Sequence, residues 1–153
     1  MEIKAELIKP YTEDERVNFI VEQNHNNGYE IKETETALEA WGYTEEEKAQ
    51  QEAERIAQLH LTRGDVFRGL LLARQVTRQQ IRALIEAMPD DTPEQAIAKE
   101  YALIDFDESL EFYRGVALID TLGLQLGISS DAMTAFFETN DWHYLVPDTR
   151  SEV

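Results

Sequence analysis

A chain of 153 residues has room for one domain, or one domain with a small appendage, and can bury a sizeable core. Its formal net charge of −17, from 14 Lys and Arg against 31 Asp and Glu, opposes direct contact with nucleic acid or an anionic membrane. The lack of cysteine excludes disulfides and thiolate metal sites and fits a reducing compartment; no apolar run of about 18 residues is present to span a bilayer. The N-terminus also lacks the basic-then-apolar pattern of a secretion signal.

The first elements read as a small β-α-β(β) unit over residues 1–43. Ile3, Ala5 and Leu7 alternate with polar residues, the pattern of a half-buried strand that Pro10 ends. Thr12 and Glu15 stand at capping-box spacing and open a helix with Val17, Ile20, Val21 and Asn24 along one side. Asn26, Asn27 and Gly28 close it. Tyr29 to Trp41 reads as strand again. Tyr29 and Ile31 keep one phase and Leu38 and Ala40 the other, so a turn or bulge is expected near Glu33–Thr36. Thr44 and Glu47 then cap a helix over 45–60 whose apolar stripe is thin: Ala49, Ala53, Ile56, Ala57 and finally Leu59. So poor a stripe predicts a solvated linker helix (44–60) rather than a coiled-coil seam.

From residue 61 to 146 the pattern predicts a five-helix bundle that contains a helix-turn-helix-like pair. Thr62 caps the first helix, with Asp65 at the third helical position and Val66, Phe67, Leu70, Leu71 and Ala73 as its apolar side. Thr77 and Gln80 open the second, which carries Ile81, Leu84, Ile85 and Met88 and stops at Pro89. The joint at Gln75-Val76 is so short that the two must pack at a steep angle. Thr92, Pro93 and Gln95 start a third helix, with Ala96, Ile97, Tyr101 and Ile104 expected to point inward. Asp105 to Glu108 either continue or break it, and Leu110 with Phe112 or Tyr113 resumes the apolar pattern. Val116, Leu118, Ile119, Leu122 and Leu126 build a strongly apolar helix that Gly127 closes, with Gly123 allowing close helix contact. Ser129 or Ser130 caps a last helix bearing Met133, Phe136 and Phe137. Trp142, Tyr144 and Leu145 dock before a flexible tail at 147–153. The fold class expected is therefore α+β and predominantly helical.

Few features point to chemistry. Residues 63–82 hold five arginines, Arg63, Arg68, Arg74, Arg78 and Arg82, against a single acid, Asp65. A DNA-reading pair would project Arg78, Gln79 and Arg82 into a major groove, but phosphate attraction would have to overcome the acidic remainder. Pairing with that remainder, or with a partner protein, is the simpler use. The tripeptide Arg63-Gly64-Asp65 falls in a helix's first turn, where Asp65 has a capping duty, and not on a loop tip. Asp105, Asp107, Glu108, Glu111 and Asp120 cluster in sequence but lack the central glycine of a looped calcium site, so a solvated face is expected and no metal. His25, His60 and His143 are scattered, without ligand spacing. No nucleophile elbow or glycine-rich phosphate loop occurs, which argues against an enzyme and against a cofactor.

Three stretches together carry a resemblance: GYEIKETETALEAWGYTEEE (28–47), ERIAQLHLTRGDVFRGLL (54–71) followed by VTRQQIRALI, and ALIDFDESLEFYRGVALIDTLGLQLGISSDAMTAFFE (102–138). Their order is similar to that in small uncharacterised proteins encoded among the tail genes of phages and prophages. In those, an N-terminal β-containing part ending near a Trp-Gly joins a helix with a Glu-Arg-Ile pattern and then a helical unit. Members commonly carry R-G-N-P-L-I where this chain has Arg114-Gly115-Val116-Ala117-Leu118-Ile119, so a proline turn is missing here. The resemblance implies a non-enzymatic structural or assembly role in the tail region, in the cytoplasm of the bacterial host or on the virion. It carries no catalytic residues.

On this reading the arginine island and the open sheet edges meet protein partners, chiefly other tail components, and a homo-oligomer is expected. Two alternatives belong to other classes. One is an acidic decoy whose charge imitates nucleic acid and blocks a host nucleic-acid-binding protein; it would set its carboxylates in a line on one face. The other is a small helix-turn-helix regulator acting through Thr62–Ala87.

Overall fold

The computed structural model of the chain describes residues 1–147. The architecture is α+β and mostly helical. Two compact units divide between Ala53 and Glu54, inside one helix. The expected tail lies almost wholly outside the described residues.

The first unit is a three-stranded antiparallel sheet with a helix. Strand β1 (Glu2–Ile8) and β2 (Glu30–Glu33) flank β3 (Ala37–Gly42), so β3 is central and the other two are edges. The central strand carries the unit's core, Ala37, Leu38 and Ala40. Between β2 and β3 the Thr34 hydroxyl accepts from the amides of Thr36 (3.3 Å) and Ala37 (3.0 Å), which pins the hairpin at 34–36. In β1 the register slips between Ile3 and Ala5. That bulge turns Ile3 outward, so the expected Ile3-Ala5-Leu7 face is broken and Ile3 is exposed. Helix α1 (Glu13–Ile20) has its full capping box, the Thr12 hydroxyl on the Glu15 amide and the Glu15 carboxylate on the Thr12 amide. It widens into a π-helical turn over Val21–Asn26. Of the side expected inward, Ile20 is half-buried, whereas Val17, Val21 and Asn24 are exposed; Arg16, Phe19 and Gln23 are half-buried beside Ile20. The half-buried set keeps ordinary α-helical spacing and is the expected stripe turned by about one residue, because Phe19 is bulkier than Val17 and takes the inward side.

Helix α2 (Glu45–Gln58) buries no residue, in keeping with its thin stripe. The second unit continues from it through β4 (His60–Thr62), α3 (Arg63–Arg74), α4 (Arg78–Glu86), α5 (Pro93–Glu108), β5 (Glu111–Tyr113), α6 (Ala117–Leu126) and α7 (Ser130–Thr139), then a 3-10 turn at Trp142–Leu145. The two short strands were not expected. They pair antiparallel, Leu61 opposite Phe112, and hydrogen bonds extend the pairing: the Arg63 amide to the Leu110 carbonyl (2.8 Å) and the Arg114 amide to the Leu59 carbonyl (2.7 Å). Residues 111–114 thus alternate out and in as a strand, with Phe112 and Arg114 buried.

One core binds the five helices. Leu70, Ile81, Ile85, Phe112, Ile119, Leu122, Phe136 and Leu145 are its most deeply buried large side chains. Phe67 packs against Phe106 and Phe112, with ring centres 5.4 and 5.7 Å away. Helix α5 is rotated relative to expectation. It buries Ala102 and Phe106, whereas Ile97, Tyr101 and Ile104 are exposed. Of the last segment, Leu145 is fully buried and Trp142 packs against the core, but Tyr144 is exposed.

Candidate functional site: an arginine-rimmed groove between α3 and α4

Helices α3 and α4 meet through only Gln75, Val76 and Thr77. Gln75 takes a left-handed backbone (φ 55°) and its amide bonds the Leu71 carbonyl at 2.9 Å, which ends α3. Thr77 at once caps α4, its hydroxyl accepting from the Gln80 amide at 3.2 Å. The tight corner leaves a cleft of about 410 Å³ on the outer side of the pair. Phe67, Leu71 and Val76 form its apolar lining, and Arg63, Arg68 and Arg78 its rim. A second cleft of about 350 Å³ continues from it past Arg82 to Phe106 and Asp107. Arg63 and Arg78 line both clefts and so mark where they join.

The arginines of the island differ in what they do. The Arg63 guanidinium donates to the Phe106 carbonyl and lies over the rings of Phe67 (4.9 Å) and Phe106 (5.2 Å), a cation-π stack that fixes its plane at the groove wall. Arg68 donates to Asp65 at 2.6 Å, one turn back. Arg68 and the Thr62 hydroxyl hold the Asp65 carboxyl below its usual range. Arg82 bonds Asp107 and Glu86, the latter at 3.0 Å, and Asp107 foremost holds its proton tighter than usual. Arg78 is exposed and has neither an ion pair nor a hydrogen bond among the described residues.

Arg74 is turned away from the groove. Its guanidinium donates to the carbonyls of Leu145 (2.6 Å), Leu126 (3.0 Å) and Gly127 (3.4 Å), and burial lowers its pKa. It closes the end of α6 and ties down the 3-10 turn. The structure thus brings Arg63, Arg68, Arg78 and Arg82 together and leaves Arg74 with an internal task. Of the four, Arg63 and Arg78 have no carboxylate partner among the described residues. Their charge is available at the junction of the clefts, beside apolar surface.

A further cation, Arg114, was not singled out from the sequence. It is the only buried charged residue among those described. It donates to Asp120 (2.6 Å), to the Thr134 hydroxyl (3.1 Å) and to the Ser130 hydroxyl (2.9 Å) and carbonyl (3.3 Å). This fork joins β5, α6 and the start of α7. A lone arginine inside the apolar run from Phe112 to Leu126 was its signal, since an unpaired arginine is rarely buried.

The acidic residues 105–120 do not converge. Asp107 belongs to Arg82 and Asp120 to Arg114. No three His, Asp or Glu among the described residues gather as a metal site would need, and no described helix is long and apolar enough to cross a membrane. Arg63-Gly64-Asp65 lies in the first turn of α3, its aspartate on Arg68 and Thr62. No family model, no curated protein and no solved structure matches the chain.

Proposed function

We propose that this is a non-enzymatic assembly protein that works by protein-protein contact, and that the groove between α3 and α4 is a contact surface. The observation that carries this reading is the pairing of apolar lining with two arginines, Arg63 and Arg78, that no carboxylate among the described residues neutralises, in a chain of net charge −17. Such a surface suits an acidic, amphipathic polypeptide segment. Its apolar side chains would cover Phe67, Leu71 and Val76, and its carboxylates would meet the guanidinium forks. The resemblance of segment order to tail-region phage proteins supports setting this work in the bacterial host cytoplasm and on the virion, among other tail components. Duplex DNA is a poorer occupant, since Arg74 is spent on internal carbonyls and Arg82 is already neutralised by Asp107 and Glu86.

The test is fluorescence anisotropy with a labelled acidic helical peptide of leucine and glutamate, at low and at moderate salt. Saturable binding that weakens as salt screens the charges, and falls at least tenfold in Arg78→Glu, is expected. Equal binding by that variant, or no saturation, overturns the groove as the contact. A salt-sensitive gel shift of duplex DNA at similar concentrations would overturn the exclusion of nucleic acid.

A further inference from the structure

Helix α5 is apolar on two sides. Its buried side carries Ala102 and Phe106. About half a turn around the helix, at roughly 100° per residue, Ile97, Tyr101 and Ile104 form a second stripe at spacings of four and three. These three side chains are 55, 65 and 46 % exposed. Large apolar residues scattered singly on a surface are ordinary, but three in register along a 16-residue helix are a face that awaits cover.

The frame of this stripe is acidic. Glu94 precedes it by three positions and Glu108 follows it by four, so both extend the same line, and Glu100 borders it. None of these glutamates has an ion pair or hydrogen bond among the described residues. The stripe is therefore the charge complement of the groove: apolar centre against apolar lining, unpaired carboxylates against Arg63 and Arg78, which no carboxylate among the described residues neutralises. At 1.5 Å per residue this 16-residue helix is about 24 Å long.

We infer that the groove's partner is a second copy of this chain, which lays the Ile97-Tyr101-Ile104 stripe of α5 into the α3–α4 groove of its neighbour. The inference rests on reading the groove as a docking surface. The two surfaces are different patches of one molecule, so the contact is head to tail and leaves a groove at one end and a stripe at the other. Repetition gives a ring if the rotation closes and a filament if it does not. Because the frame of each patch is charged, the contact weakens with salt.

Sedimentation velocity on the full chain from micromolar to several hundred micromolar tests this. The wild type should assemble beyond a dimer as concentration rises and dissociate as salt is raised. A groove-blocked variant, Leu71→Glu/Arg78→Glu, and a stripe-blocked variant, Ile97→Lys/Tyr101→Lys, change exposed residues only; circular dichroism checks that each stays folded. Each alone should be monomeric, with association weakened at least tenfold. Mixed in equal amounts they should form a 1:1 dimer and nothing larger, because one intact groove and one intact stripe remain. If a double variant unfolds, Arg78→Glu and Tyr101→Lys alone replace the pair. A wild type that stays monomeric throughout, or blocked variants that still assemble, overturns the inference. If the wild type is monomeric yet the acidic peptide still binds in an arginine-dependent way, self-docking fails and the groove reading stands. If neither occurs, both fail.

Discussion

Gly69 and Phe136 touch so closely that no side chain fits between them. A Cβ placed on Gly69 would lie 2.5 Å from the Cζ of Phe136, whose ring is 1 % exposed and held within the core. Helices α3 and α7 are therefore locked at a distance that only glycine permits. Gly69→Ala is expected to lower stability by roughly 1–3 kcal/mol through overpacking, despite the better helix propensity of alanine. Gly64→Ala in the same helix meets only the Arg68 guanidinium, at 3.1 Å, and should stay within about 0.5 kcal/mol of wild type. Urea denaturation of the two variants decides this; equal midpoints would show that Phe136 can move aside.

Among the described residues two non-glycines have positive φ, Gln75 (55°) and Asn140 (54°), and both end helices. The left-handed region costs an ordinary side chain about 1 kcal/mol, and asparagine less. Gln75→Gly should raise stability by about 1 kcal/mol and Asn140→Gly by roughly half that. A Gln75→Gly variant no more stable than wild type would mean that the glutamine side chain makes up for its backbone strain.

Arg114 gives the largest expected loss among the arginines. Arg114→Ala removes a fork that serves Asp120, Ser130 and Thr134 at once, and about 2 kcal/mol of stability is expected to go with it. Arg114→Lys should recover little, since one ammonium cannot reach three partners in the guanidinium's plane. Asp120→Asn should cost no more than about 1 kcal/mol, because that carboxylate is 66 % exposed. Thermal melts of the three, ranked Ala, Lys, Asn from worst to best, check the order; a lysine variant like wild type would make the contact one of charge alone.

Acid should unload the start of α3. Arg68 and Thr62 depress the Asp65 pKa in the folded chain, so its contribution is complete above the unfolded value, about 3.9, and is lost as pH falls through the lower folded value. The difference in urea midpoint between wild type and Asp65→Asn should therefore be constant from pH 7 to about pH 5 and shrink below about pH 4. A difference that does not change down to pH 3 would separate the asparagine's effect from the ionisation of Asp65.

The legibility of this fold follows from how far each signal reaches. Caps are written within four residues, and Thr12, Thr62, Thr77, Thr92 and Ser129 all cap where a helix begins. Strands β4 and β5 could not be read because each has three residues, too few for a period, and their partners lie some fifty positions apart. The rotation of α5 was hidden for a different reason. Both its sides are apolar, so periodicity alone could not say which one the core takes, and the buried Ala102 offers less bulk than the exposed Tyr101. As for the groove, the arginine island stood out from composition, but which arginines converge depends on the left-handed turn at Gln75 and on carbonyls from the far end of the chain that claim Arg74.

The three-residue corner at Gln75–Thr77 has a bearing on what the groove selects. It is not free to hinge, because the two helices it joins share Leu70, Ile81 and Ile85 in one core. The jaws of the groove are set before anything arrives, so the loss of conformational freedom on docking falls on the visitor. A visitor already coiled loses least. Stiff helices should therefore outcompete floppy segments of identical composition, with rigidity itself as the criterion of choice.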